Sequence, residues 1–236
     1  MSVPVFFAED LSGDRVLLDG PEGHHAAVVR RLRVGETVDL VDGFGTRCTC
    51  TVVGTTRESL VLEVVTRVLE PPPAPRVTLV QALAKGDRGE LAVELATEVG
   101  VDAVVPWAAS RCVQQWHGER GDKALARWRS TAREAAKQSR RAWFPPVAAA
   151  VGLEEVCGLP GRLLVLHGQA PELLSAVALE GDVVLVVGPE GGLTDEELAA
   201  LQDAGGVAVR LGPTVLRTST AGAAAVAVVS ARNGRW

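Results

Sequence analysis

The chain carries two kinds of hydrophobic pattern, divided by a cluster of prolines. Before residue 70 the apolar runs are short and rich in β-branched residues: Val16–Leu18, Thr37–Val41, Arg47–Val53 and Ser59–Val65. Turn signals at Asp42-Gly43, Phe44-Gly45 and Gly54 separate them, the spacing of a small β-barrel. One helical stretch, Gly23 to Leu32, interrupts the series. Residues 1–70 are therefore expected to form an N-terminal β-barrel. Pro71-Pro72-Pro73-Ala74-Pro75 can enter neither a helix nor an interior strand, so residues 71–75 form a stiff, extended linker.

Beyond the linker the pattern alternates. Arg76–Gln81 and Ala103–Pro106 read as strands. Asp87–Val99 reads as a helix, with a capping box at Asp87 and Glu90 and an apolar face of Leu91, Leu95 and Val99. Asp122–Trp143 reads as a long helix whose Leu125, Trp128, Ala132, Ala135 and Ser139 recur at alternating steps of three and four. Leu163–His167, Val183–Val187 and Val207–Leu211 are continuous apolar strands, as a parallel sheet covered on both faces requires. A helix of small residues, Ser219–Arg232, closes the chain. Residues 76–236 are expected to form one α/β domain.

Composition narrows the class. Of 236 residues, 47% are hydrophobic and 22% charged, the balance of an ordinary globular protein rather than a disordered one. No apolar run approaches the ~20 residues needed to cross a bilayer, and MSVPVFFAEDLSGDR lacks the basic start and apolar stretch of a signal peptide. A soluble, cytoplasmic protein with no membrane partner is predicted. Four cysteines are too few for a disulfide scaffold, and Cys48 and Cys50 share one face of a strand. The four histidines form no HExxH or H-x-x-x-H pattern, so no metal is expected.

Charge is unevenly distributed. Residues 71–150 carry 12 basic and 8 acidic side chains, although the whole chain has net charge −5. From Arg111 to Arg141 nine basic residues face three acidic ones. Such a surplus is the footprint of a polyanion site or of a well-solvated helix, and charge alone does not separate the two.

Ligands of open parallel sheets bind beyond the carboxyl ends of the strands. Three such ends carry glycine: His167-Gly168, Gly188-Pro189-Glu190-Gly191-Gly192 and Leu211-Gly212-Pro213. The middle loop opens a helix capped by Thr194 with Glu197 completing the box. It matches neither a dinucleotide fingerprint nor a P-loop, and Glu190 would repel a polyphosphate. A shared pocket at these ends suits a ligand with hydroxyls, amines or a cationic centre.

The segments VVGPEGGLTDEEL (186–198) and RLGPTVLRTSTAGAAAV (210–226) resemble the last two signature segments of the RsmE family. HHAAVVRRLRVGE (24–36), VDGFG (41–45), ALAKGDRGE, TEVGVDAVVPWAASRC and REAAKQSRR follow the same family's order across both domains. The resemblance implies a PUA-like RNA-binding barrel followed by a SPOUT α/β domain with a deep trefoil knot. It implies methylation of N3 of a uridine in 16S ribosomal RNA, with S-adenosyl-L-methionine as cofactor. Another SPOUT activity, at a ribose 2′-oxygen or another base, and a non-catalytic ribosome-assembly factor are the alternatives.

Carried over position by position, the resemblance implies that Leu166, Gly168, Gly188, Glu190, Gly191, Leu211, Gly212, Leu216 and Arg217 bind the cofactor. Arg31, Lys85, Arg111, Gln138, Arg140 and Arg141 become RNA-binding candidates. Arg217 and Arg111 are candidate stabilisers of charge on the uracil, and the N3 proton leaves to Glu134, to Glu190 or to water, three alternatives that the residues leave open. The implied partners are 16S rRNA or the small ribosomal subunit, and a second copy of the chain in a homodimer. Three positions depart from the family pattern: Ser219 where an acidic residue is common, Val5 where an arginine is common, and Leu95 where a lysine is common. They bear on RNA docking and leave the cofactor loops untouched.

Overall fold

A computed structural model describes residues 3–236. The chain divides into two compact units, Met1–Pro72 with Ala136–Phe144, and Pro73–Ala135 with Pro145–Trp236.

In the first unit the order is β1 (Val5–Phe7), β2 (Arg15–Leu18), α1 (Gly20–His24) running into a π-helical segment (His25–Val29), β3 (Thr37–Val41), β4 (Thr46–Thr55) and β5 (Leu60–Leu69). The five strands form one sheet in the order β1-β3-β4-β5-β2, antiparallel except for the parallel β1–β3 pair. Edges β1 and β2 are not paired with each other, so the predicted barrel is an open half-barrel. Register shifts in the β4–β5 ladder at Thr49/Cys50 and Val52/Gly54 mark bulges, which bend and twist a strand. Phe6, Val38, Leu40, Cys48, Cys50, Val52, Leu60 and Leu62 form the core. Burial pushes the Cys50 thiol up to about 12, so it is held neutral as a small hydrophobe.

Residues 136–144, which the sequence pattern assigned to the second domain, cluster with this half-barrel. The reason lies in the turn at 42–45. Gly45 N–H donates to Ala142 O (3.0 Å) and Phe144 N–H donates to Gly43 O (3.0 Å). Gly45 has φ +100, and a Cβ there would lie 2.6 Å from the Trp143 ring, so only glycine admits this contact. Lys137 pairs with Glu22 in the same unit.

The second unit contains β6 (Val77–Ala82), α2 (Arg88–Glu98), β7 (Ala103–Trp107), most of α3 (Gly118–Gln138), α4 (Leu153–Cys157), β8 (Arg162–Leu166), β9 (Glu172–Leu173), β10 (Val183–Val187), α5 (Asp195–Asp203), β11 (Val207–Arg210) and α6 (Thr218–Arg232). Its six strands are all parallel, in the order β7-β6-β10-β8-β11-β9. β10 enters between β6 and β8, and β11 between β8 and β9. The core is double. Val183, Leu185 and Val187 face a layer containing Val93, Ala225 and Val229, while Val184 and Val186 face Val156 and Leu201. Alternation along one wholly buried strand serves two layers, which is why β10 reads as an uninterrupted apolar run.

Three local expectations change. The α3 pattern was read to Trp143, but the helix ends at Gln138, because Arg140 turns into the left-handed region at φ +57. The α2 face read as Leu91, Leu95 and Val99 is not the buried one. Ala92, Val93 and Ala96 are buried and Leu91 is 41% exposed. α2 packs against α6, and small side chains permit that approach. Asp87 makes no side-chain cap; Glu90 instead pairs with Arg127 (3.0 Å). Strands β1 and β9 and helix α4 carried too little periodic signal to be read. Among the described residues no helix is long and apolar enough to cross a membrane, and no group of three or more His, Cys, Asp or Glu is placed to hold a metal ion.

Candidate active site

Strands β10, β8 and β11 are neighbours, with Val187 level with Leu166 and Leu166 level with Val209. Their carboxyl ends therefore finish side by side. The loops that follow, 167–168, 188–192 and 211–217, leave the sheet at one edge, and β6 adds the end Gln81-Ala82 beside Val187.

The glycine-rich loop after β10 is tied down on every side. Thr194 caps α5: its Oγ1 accepts from Glu197 N–H (3.1 Å) while Glu197 Oε2 accepts from Thr194 N–H (2.9 Å). Glu197 is buried, and its Oε1 accepts from Ser110 N–H (2.7 Å), joining the box to the segment after β7. Arg111 Nη1 donates to the carbonyls of Gly191 (3.1 Å) and Leu193 (3.0 Å). Glu190 Oε1 accepts from Lys85 N–H (3.0 Å) and pairs with Arg88 (3.5 Å), binding the loop to the start of α2. Thr218 Oγ1 donates to Gly188 O (2.9 Å). Gln81, fully buried, donates from Nε2 to Thr218 Oγ1 (3.0 Å) and to Ala82 O (3.1 Å).

Two features mark these strand ends. A Cβ built on Gly168 or on Gly212 meets nothing within 4 Å, whereas one on Gly188 would lie 2.9 Å from Leu193 Cδ2 and one on Gly191 3.2 Å from Arg111 Cβ. Gly168 and Gly212 thus present open backbone in two of the three loops. At the end of β6, level with Val187 of β10, Gln81 Oε1 is buried without a donor among the described residues. An unsatisfied buried acceptor costs about 1–3 kcal/mol and calls for an explanation.

Thr218 and Gln81 form the support of the loop, which sets a prediction. Thr218→Val is expected to weaken binding of the cofactor that the resemblance implies about tenfold, one net hydrogen bond's worth, with Thr218→Ser close to wild type because the hydroxyl remains. Calorimetry with S-adenosylhomocysteine checks both; equal affinities for valine and serine would separate the hydroxyl from binding.

The chain matches the RNA methyltransferase domain family over residues 70–230 and the RNA methyltransferase PUA domain family over residues 18–65. It is 49% identical to ribosomal RNA small subunit methyltransferase E of Mycobacterium bovis, spanning 100% of this chain and 94% of that one. The chain belongs to the RsmE family. The Bacillus subtilis member is 30% identical over 90% of this chain and 88% of its own. The crystal structure of the Neisseria gonorrhoeae member bound to S-adenosyl methionine superposes with a TM-score of 0.87, at 29% identity and 98% coverage of both chains. The architecture is that of a PUA domain followed by a SPOUT methyltransferase domain, and the protein is an RNA methyltransferase.

Seen as an RsmE chain, the candidate residues fall into three groups, with Glu134 apart from them. Leu166, Gly168, Gly188, Glu190, Gly191, Leu211, Gly212, Leu216 and Arg217 all lie at the three adjacent strand ends. Lys85 and Arg111 meet the glycine-rich loop, Lys85 through its backbone and Arg111 through its guanidinium. Arg31, Gln138, Arg140 and Arg141 belong to the first unit. Glu134 lies exposed on α3. Arg217 is the N-cap of α6, its carbonyl accepting from Thr220 N–H (2.9 Å) and Ala221 N–H (2.9 Å), while its exposed side chain is left for other work. Gln81, Arg88 and Thr218 were not read from the sequence. The available signal was Gln81 itself, a lone amide at the end of the apolar run VTLVQA.

Proposed function

We propose that this protein methylates N3 of a uridine in 16S rRNA of the small ribosomal subunit, with S-adenosyl-L-methionine as methyl donor. The observation that carries the reading is the open backbone at Gly168 and Gly212 beside a loop braced by Arg111, Glu190 and Thr218. The SAM-bound Neisseria gonorrhoeae relative and the name of the Mycobacterium bovis relative support it.

Gly168, Gly188, Gly191 and Gly212 would hold the cofactor against main chain, with Leu166, Leu211 and Leu216 supplying apolar contact. When bound, the cofactor supplies an electrophilic methyl group on a sulfonium. Loss of the N3 proton leaves negative charge on the uracil ring, and the Arg217 guanidinium, charged at any working pH, stabilises it. Glu190 already accepts from Lys85 and pairs with Arg88, so it acts on loop position rather than as the base. Arg111 likewise spends Nη1 on the loop carbonyls. RNA is gripped by Lys85 and Arg111 in the second unit and by Arg31, Gln138, Arg140 and Arg141 in the first.

Incubating the protein with small subunits that lack the modification and labelled cofactor, then mapping the product by mass spectrometry, tests the reading. A methyl group on N3 of one uridine is expected; a methyl on a ribose oxygen would transfer the protein to another SPOUT activity, and cofactor binding without transfer would make it an assembly factor.

The protein acts in the cytoplasm, where ribosomal subunits are made, and as a homodimer. Val215 is 92% and Leu216 39% exposed beside the site, apolar surface that a second copy would cover. Insertion of β10 and β11 into the interior of the sheet supports the knotted path of the family. Light scattering at micromolar concentration is expected to give about 49 kDa, twice the 24.7 kDa chain; a value of one chain mass would remove the dimer.

A further inference from the structure

The first unit holds a cavity that the cofactor site does not use. It has a volume of about 180 Å³, and its lining includes Phe6, His25, Arg30, Lys137, Gln138 and Arg140. That is room for a small anionic group with its sugar and smaller than a drug-sized site.

Irregular backbone gathers around it. His25 opens the π-helical segment and Arg30 is its C-cap; π turns are rare and concentrate at functional sites. Arg140, on the opposite stretch of lining, has φ +57, and Arg31, next to Arg30, has φ +55. They are the non-glycine residues with positive φ among those described. A side chain in that region costs conformational energy that glycine would avoid, and such strain persists where the surroundings and the function demand it.

The charges are unequal in kind. Lys137 is buried and neutralised by Glu22. Arg30 and Arg140 are exposed, and among the described residues neither guanidinium makes a hydrogen bond or an ion pair. Phe6 forms an apolar wall, with His25 edge-on to it at a ring separation of 5.9 Å. Two uncommitted guanidinium forks and an apolar wall match an anion carrying a hydrophobic body, since the planar fork pairs with phosphate oxygens in bidentate fashion. A cavity, unlike a flat basic face, admits a phosphate only from a backbone that can bend into it, which selects single-stranded RNA over a stacked duplex.

We infer that this cavity receives one backbone phosphate, with its ribose, from a single-stranded segment of the RNA substrate, held by Arg30 and Arg140. The inference rests on the RNA methyltransferase reading above.

The test measures binding of a labelled single-stranded RNA oligonucleotide to the full-length protein by fluorescence anisotropy across a salt series. Arg30→Gln and Arg140→Gly are each expected to weaken binding about tenfold and to shrink the salt slope by about 0.7, the value of one phosphate contact on single strands. Arg57→Gln, on an exposed turn of the same unit, is expected to leave both unchanged. Arg140→Gly should match or exceed the wild-type Tm, because glycine adopts positive φ freely, so its loss of affinity cannot be ascribed to misfolding. Wild-type affinity and slope in both variants would overturn the inference. So would calorimetric binding of inorganic phosphate that Arg140→Gly abolishes while RNA affinity stays intact, the signature of a site for free anion. A protein that shows the predicted RNA losses yet methylates no rRNA would overturn the functional reading and leave the cavity assignment standing.

Discussion

Arg217→Lys is expected to lower kcat by about 100-fold, comparable to the loss of one oxyanion donor. The structure makes this substitution unusually clean. The structural duty of Arg217 is carried by its carbonyl, which receives the first amides of α6, and lysine keeps that carbonyl in place. The Arg217 side chain is exposed, so changing it disturbs no buried contact. Lysine preserves the charge but replaces a planar fork with a point donor, so the fall would report the directed stabilisation of the uracil anion that we propose for Arg217. Affinity for S-adenosylhomocysteine should change far less than kcat. Steady-state kinetics with small subunits as substrate would show it; near-normal turnover in a correctly folded protein would confine Arg217 to capping α6.

Gly212→Val is expected to reduce cofactor affinity by 100-fold or more without destabilising the fold. A Cβ at this position meets no protein atom within 4 Å, and the residue does not use positive φ, so the chain itself tolerates valine. The added methyl groups enter the space against which the cofactor would lie, and a ligand packed on bare main chain cannot retreat. Gly191→Val is a blunter experiment, because its Cβ would first press on Arg111 at 3.2 Å and so disturb the loop. Calorimetry with S-adenosylhomocysteine, alongside a thermal melt, separates the two effects. Wild-type affinity in Gly212→Val would place the cofactor elsewhere, and a large fall in Tm would show that the open space serves the fold.

How much of this was legible in the residues depends on the range of the forces involved. Strands β8, β10 and β11 were read correctly because burial on both faces forces an uninterrupted apolar run, a local record of a layered fold. The cap of α5 was read for the same kind of reason, since Thr194 and Glu197 satisfy each other within four residues. The three glycine-bearing strand ends were legible through glycine, and the family through a resemblance that spans both units. The half-barrel was legible as short strands, but whether its edges close is set by register and bulges in the β4–β5 ladder, which no run of residues announces.

What only the tertiary structure decided concerns partners distant in sequence. Glu90 had the spacing of a capping box, yet Arg127 captured it from 37 residues away. Glu190 has partners that its own loop does not announce: the Lys85 backbone N–H, and Arg88 at the start of α2, meet its carboxylate from about a hundred positions away. Residues 136–144 continued a helical pattern, but long-range bonds to the 42–45 turn drew them into the first unit. Gln81 carried almost no signal until folding placed it 3.0 Å from Thr218, 137 positions later. The sequence by itself determined the periodic elements, the capped α5 and the glycine-bearing strand ends, because those answer to neighbours a few residues away. Which side chain braces which loop was decided in three dimensions, because a hydrogen bond depends on distance in space and not on separation along the chain.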